Sequence, residues 1–230
     1  SMGHLSFLLN LHPRHVLANL VDEPNIDRDI VQAYLQAHSS GIRLLAAPTE
    51  LAQLAELPIE TWREMLNLLA DIAPYVVVDT AAYTDDVLSE VLLRADHIVL
   101  VATPDIPGLR CTLNLLETLR HEEAIHARIH IVLNRDGVRG GLDAGMVQKQ
   151  LQEKSFTTIP EDTPLATYAL NRGVPFVLSH PRAAVSRRIE ALVDHLVDQP
   201  QTVTSEEKTK TPHAFLSLLP VSGNGKGSTR

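Results

Sequence analysis

The sequence is short of cysteine, of aromatic residues and of net positive charge, and each shortage removes a class of explanation. Its single cysteine, Cys111, has no partner for an internal disulfide, which points to a reducing, cytoplasmic setting. No stretch approaches the ~18 uninterrupted apolar residues of a membrane-spanning helix. Met2 is followed by neither a basic segment nor a long apolar one, so no targeting signal is legible. A formal charge of −8 argues against broad binding to DNA, because counterion release needs a basic footprint. No specific nucleic acid is expected as a partner. Histidine is plentiful, at eleven residues. His121, His126 and His130 fall close together, but they straddle a helix end, a turn and a strand start. They therefore share no face, and solvated or capping roles are expected of them in place of a metal site.

What is there suffices for one buried core, since 44% of 230 residues are hydrophobic. The composition divides the chain into a body over 1–198 and a tail over 199–230. From Gln199 onward Thr, Ser, Lys, Glu, Pro and Gly dominate, and such a segment is expected to be disordered. Its apolar island, Ala214–Leu219, lies between Pro212 and Pro220 and lacks a basic face, so membrane contact by it is not expected.

Within the body, short runs rich in Val, Ile and Leu alternate with helical patterns. That alternation predicts an α/β fold, a mostly parallel sheet with helices on both faces. The expected strands are Ile42–Ala47, Tyr75–Thr80, His97–Thr103, Arg128–Asn134 and Thr157–Pro160. Unbroken runs such as Val76-Val77-Val78 predict strands buried on both faces with neighbours on both edges. The expected helices are Ile26–His38, Ile59–Ile72, Thr84–Arg94, Leu109–His121, Asp143–Glu153, Leu165–Asn171 and Ala183–Val197. Asp27, Thr84 and Asp143 suit N-caps, Pro107 a helix start, and Gly41 and Gly173 positions just after helix ends.

The chemistry gathers at predicted strand ends. Asp79 closes an apolar strand at its carboxyl end, where open α/β sheets collect ligands. A carboxylate there can hold Mg²⁺ through its water shell; taken by itself, it also reads as a loop-ordering cap. Pro104-Asp105 follows the next strand and Asn134-Arg135-Asp136 the one after, so three successive strand ends present polar groups on one rim. Asn offers a donor and an acceptor to a purine edge, and Arg can stack or reach a phosphate. Pro160, Glu161 and Asp162 end a further strand beside them.

In this order the motifs resemble the MinD/ParA family of deviant P-loop ATPases, and within it the CpaE/TadZ-type proteins of Flp (tight adherence) pilus assembly. The resemblance runs from Gly3 to Val197 through "LHPRHVLANLVDE", "SSGIRLLAAPTE", "YVVVDT", "LLRADHIVLVATPDIPGLRCTLNLLETL", "IHIVLNRDG", "TIPED" and "ALNRGVPFV". It implies ATP and Mg²⁺ as cofactors. Asp79 would be the Walker B-like acid near the metal and Asn134 with Arg135 the adenine-side pair, while Pro160, Glu161 and Asp162 would close over the base. It assigns no catalytic residue. It further implies a homodimer that helps localise the pilus secretion machinery in the cytoplasm, at a cell pole or at the inner face of the membrane.

Four departures accompany the resemblance. The family's first strand, its glycine-rich P-loop with lysines and the acidic strand end before Gly3 are missing, and Ala81 and Tyr83 stand where the family often has Pro and Gly. Gly223–Thr229 echoes a phosphate loop but places Gly227 directly after Lys226 and leads into no helix, so it cannot aim free N–H groups at a phosphate. In the family the P-loop strand lies between the strands resembling Tyr75–Thr80 and His97–Thr103, so Val77 and Val99 are expected not to pair directly. A degenerate, non-hydrolysing scaffold is the alternative reading. An ATP-dependent ligase would also need the P-loop, and a cluster-bearing iron protein would need more than Cys111.

Overall fold

The computed structural model describes residues 4–23, 25–48, 57–80 and 86–197. The expected tail, Thr84, Ala81, Tyr83 and Gly223–Thr229 lie outside the described residues. In chain order the elements are α1 (His4–Leu8), a 3₁₀ turn (Leu17–Asp22), α2 (Arg28–Tyr34), β1 (Gln36–Ala37), β2 (Arg43–Leu44), α3 (Ile59–Ile72) and α4 (Asp86–Arg94). Then come β3 (Ile98–Ala102), α5 (Ile106–Arg120), α6 (Glu123–His126), β4 (Ile129–Asp136), α7 (Ala144–Leu151), β5 (Phe156–Pro160), α8 (Thr163–Arg172), α9 (Phe176–Ser179) and α10 (Ala184–Val197).

Strands β3, β4 and β5 form a parallel sheet in that order, with Val99 opposite His130 and Val132 opposite Thr157. Helical crossovers between parallel neighbours put helices on the faces. Alternate residues of β4 therefore serve two cores. Ile131 and Leu133 pack with Leu109, Leu116 and Leu119 of α5 and Val147 and Leu151 of α7. Val132, with Ile159 of β5, packs under Val185 of α10. A third cluster joins Trp62, Met65, Leu66 and Leu69 of α3 to Leu17, Leu20 and Tyr34. Their three-and-four spacing makes one apolar stripe, which is why α3 forms where the periodicity predicts it.

Caps fix the helix ends. Asp27 accepts the Ile30 N–H and Asp143 the Met146 N–H, while Gly173 closes α8 in the left-handed region. Gly41 takes positive φ in the turn between β1 and β2, where the His38 carbonyl accepts its N–H, and not after a helix.

Two expected strands of the main sheet are corrected. Of Ile42–Ala47 only Arg43–Leu44 is a strand, and it pairs antiparallel with Gln36–Ala37. The Ser39-Ser40-Gly41 turn folds the chain back on its own neighbour, a local closure that precedes any distant pairing. Residues 75–80 join no ladder among the described residues, and Val77 is 94% exposed where burial was expected. An apolar run is covered only where a neighbour on each edge and a layer on each face reach it. Strand β3 likewise has a ladder on one side alone among the described residues, leaving Val99 and Val101 exposed. No ladder joins Val77 to Val99. No described helix is long and apolar enough to cross a membrane.

The three clustered histidines take separate roles. His121 is the C-cap of α5, and His126 Nε2 lies 3.1 Å from Glu153 Oε1. His130 departs from the solvated or capping role expected of it, because register carries it into the sheet interior, 4% exposed.

Candidate functional site

The carboxyl ends of β3, β4 and β5 share one rim, as parallel strands with same-handed crossovers require. After β3, Asp105 caps α5, its Oδ1 accepting the Gly108 N–H at 2.7 Å. That bond, the Thr103 hydroxyl and the nearby Arg135 guanidinium hold its carboxyl below the usual range. The Leu142 N–H donates to the Pro104 carbonyl at 2.7 Å, seating the loop after β4 against the end of β3.

The end of β4 is irregular in a way that matters for the rim. Leu133 pairs with Thr158 and Asp136 with Pro160, so β4 spends one residue more than β5 over this stretch. Such a bulge bends the strand and turns side chains out of the ladder. Arg135 absorbs it at φ 61, with its N–H donating to Asn134 Oδ1 at 3.0 Å. The Asn134 amide keeps its own N–H donors for another partner. Beyond β5 the Glu161 N–H donates to the Asp136 carbonyl at 2.9 Å, tying the two strand ends together. Glu161 Oε1 accepts the Thr163 N–H at 3.0 Å and Asp162 Oδ1 accepts the Leu165 N–H at 3.1 Å. The Thr163 hydroxyl and N–H, then Arg135, hold the Glu161 carboxyl below its usual range. Arg135 thus stands in the field of two carboxylates, Asp105 and Glu161.

The sheet gathers Asn134, Arg135, Pro160, Glu161 and Asp162 at this rim. Asp79 belongs to residues 75–80, which are exposed and join no ladder of this sheet among the described residues. Asp105 stands at the strand end where the sequence placed it, and Thr103 joins it at the rim without having been singled out. Asp105, an acid two residues before Pro107, also carries the pattern of an N-cap ahead of a helix. Among the described residues no group of three His, Cys, Asp or Glu is arranged to hold a metal ion. The rim offers a flat guanidinium and an amide, donors that suit the edge of a nucleotide base, while its carboxylates, Asp105, Glu161 and Asp162, each accept a backbone N–H.

A residue with a side chain in the left-handed region costs about 1 kcal/mol relative to glycine. Arg135→Gly is accordingly expected to be more stable than Arg135→Ala by about 1 kcal/mol, while both lose the guanidinium. Urea midpoints compare them, and an Ala variant as stable as the Gly variant would show that the bulge stores no strain.

No protein-family model matches the chain. Solved structures do resemble it. A ParA family ATPase from Chlorobium tepidum superposes with a TM-score of 0.73 at 23% identity, over 84% of this chain and 80% of that one. The fold is that of the ParA/MinD ATPases. MinD of Pyrococcus horikoshii, solved with Mg-ADP, gives 0.70 at 18% identity, covering 86% of this chain and 81% of that one. The MinC:MinD cell division complex of Aquifex aeolicus gives 0.69 at 19%, over 89% and 82%. In sequence, an uncharacterised ATP-binding protein of Methanocaldococcus jannaschii is 25% identical over 173 residues, 75% of this chain. The chain spans 64% of that relative's length. With a ParA/MinD-like fold, the rim of Asn134, Arg135 and Pro160 lies at the strand ends where open α/β sheets collect ligands.

Proposed function

We propose that the chain is the nucleotide-binding body of a ParA/MinD-type ATPase, of the CpaE/TadZ kind that localises Flp pilus assembly machinery. Asn134 and Arg135 read the adenine, Pro160, Glu161 and Asp162 close over it, and Asp79 serves Mg²⁺ once phosphates complete the metal's sphere. The observation that carries this reading is the bulged end of β4, which turns an amide and a guanidinium outward beside the end of β5. The complete protein would act as a homodimer in the cytoplasm, at a cell pole or the inner face of the membrane. Its partners would be pilus secretion proteins. A second reading, a non-hydrolysing scaffold of the same fold, is favoured by Ala81 and Tyr83, which follow the Asp79 run where the family often has Pro and Gly.

Most affinity for a triphosphate in P-loop proteins comes from backbone N–H groups and a lysine. This chain is therefore expected to show no saturable micromolar binding of a fluorescent ATP analogue with Mg²⁺. Tight binding abolished by Asp79→Ala would overturn that. At millimolar ATP, the amides of Asn134 and Arg135 should shift in NMR spectra, more for ATP than for GTP, and Asn134→Ala should erase the difference. Shifts confined to other parts of the chain would sink the assignment of the rim.

A further inference from the structure

A second polar concavity lies at the opposite edge of the sheet. His130, the second residue of β4, sits roughly 13 Å before Asn134 along the strand. It lines a cavity of about 400 Å³ with Lys154, Ser155, Phe156, Thr157 and His195. The volume falls at the small end of ligand pockets. No carboxylate is among the lining residues; the charged and titratable ones are an ammonium and two imidazoles.

The hydrogen bonds inside it have a definite logic. The two His130 ring nitrogens meet two hydroxyls, Nδ1 facing Ser155 Oγ and Nε2 lying 2.9 Å from Thr157 Oγ1. A neutral imidazole donates from one nitrogen and accepts at the other. One hydroxyl therefore spends its hydrogen on the ring, and the other receives the ring N–H and keeps its own hydrogen. A protonated ring donates from both nitrogens and leaves both hydroxyl hydrogens for a ligand. His195 of α10 lies with its ring centroid 5.2 Å from that of His130.

We propose that this pocket is a binding site for a small tetrahedral oxyanion of the phosphate or sulfate class, held by Lys154, His195 and the hydroxyls of Ser155 and Thr157, and that binding draws a proton onto His130. Burial, then the like charges of His195 and His97, keep the His130 imidazole below its ordinary range. Those two histidines and Lys154 are the titratable groups that face it, from α10, from the residue before β3 and from two residues before β5. An anion among them offsets the repulsion that holds His130 neutral. The site is independent of the nucleotide reading, because it uses none of the rim residues.

Sulfate is the suitable probe, since it stays a dianion across the range in which histidine titrates. The full chain is titrated with sodium sulfate at about pH 6 and about pH 8, with sodium chloride holding ionic strength constant, and the histidine ring signals are followed by NMR. Saturable shifts of His130 and His195 are expected, with affinity rising on acidification by up to about tenfold per pH unit, the limit for one linked proton. Lys154→Gln and His195→Gln, both at exposed positions, are each expected to weaken binding by about tenfold. Glycerol phosphate in a parallel titration separates the two sources of the chemistry. Binding of both supports a phosphate ester as ligand, and binding of sulfate alone supports a free ion. Shifts that grow linearly, or that chloride reproduces, would mean screening only and overturn the site. Saturable binding that both variants leave intact places the anion elsewhere and overturns it equally.

Discussion

Glu90→Ala is expected to lower the unfolding free energy by about 2–3 kcal/mol, at or below the low end for a broken buried ion pair. Glu90 is 5% exposed and lies on α4. It accepts two bonds from Arg63 of α3, Nε and one terminal nitrogen, each at 3.0 Å, and a third contact from Arg94 at 2.8 Å. Two considerations keep the figure low. The Arg63 side chain is 37% exposed, so water screens part of the attraction. Arg94 Nε is buried with no hydrogen-bond partner among the described residues, so the network is incompletely satisfied. The carboxylate is nonetheless the bond between α3 and α4, and Arg63 first, with Arg94 behind it, holds it below the usual range against the opposing effect of burial. A folded pKa below the unfolded one gives stability that is fully present above the unfolded value, about 4.3. That stability is lost as pH falls through the folded value. Urea denaturation at neutral pH and in this acid window tests both parts. Glu90→Ala within about 0.5 kcal/mol of the parent, the range of an ordinary surface change, would make the clamp energetically idle. An acid slope unchanged in Glu90→Gln would detach it from the pH dependence.

How far the sequence foretells this molecule depends on whether the deciding partners are near in the chain. Helix α3 was legible to the residue, because Trp62, Met65, Leu66 and Leu69 carry their own periodicity. Strands β3, β4 and β5 were legible as apolar runs between helices, and Asn134, Arg135 and Pro160 followed as strand ends. The conformation that turns Arg135 outward was not, since the bulge arises from the register of β4 against β5 some 25 residues on. His130 failed for the same reason. Its partners, Ser155 and Thr157, stand 25 and 27 positions away, and only the pairing of the strands brings them to its ring.

The run of residues 75–80 teaches the complementary lesson. Three successive valines state a preference for burial on both faces, and the preference is real: each buried side chain of this kind contributes about 1.5–3 kcal/mol. Sequence pattern cannot say whether a second strand edge is within reach. Among the described residues no strand pairs with the run, and Val77 is exposed. Asn134 and Arg135 are positioned because Glu161 and Asp136 lock β4 to β5, and it is this lock that the candidate site inherits.

Gly108→Ala reverses the usual sign of a helix substitution. In an open helix it would stabilise by about 0.8–1 kcal/mol. At the start of α5 a Cβ would stand 2.0 Å from Thr103 Oγ1, 3.1 Å from the Thr103 carbonyl and 3.2 Å from Asp105 Oδ1. The hydroxyl must rotate away and give up its bond to Asp105, and the carbonyl must give by a few tenths of an ångström. Overpacking of this kind costs about 1–3 kcal/mol, so a net loss of about 1–2 kcal/mol is expected. The displaced atoms belong to the loop that carries Asp105 into the rim, so the amides of Arg135 and Glu161 should shift together with the fall in stability. Removing the obstructing hydroxyl tests the cause. Thr103→Ala should recover about 1 kcal/mol in the Gly108→Ala background, a coupling of the size found between side chains in contact. Urea midpoints at unchanged m-value are the measurement. If Gly108→Ala proves stabilising, or if the two substitutions simply add, then the close approach of Thr103 is not what makes glycine necessary at the head of α5.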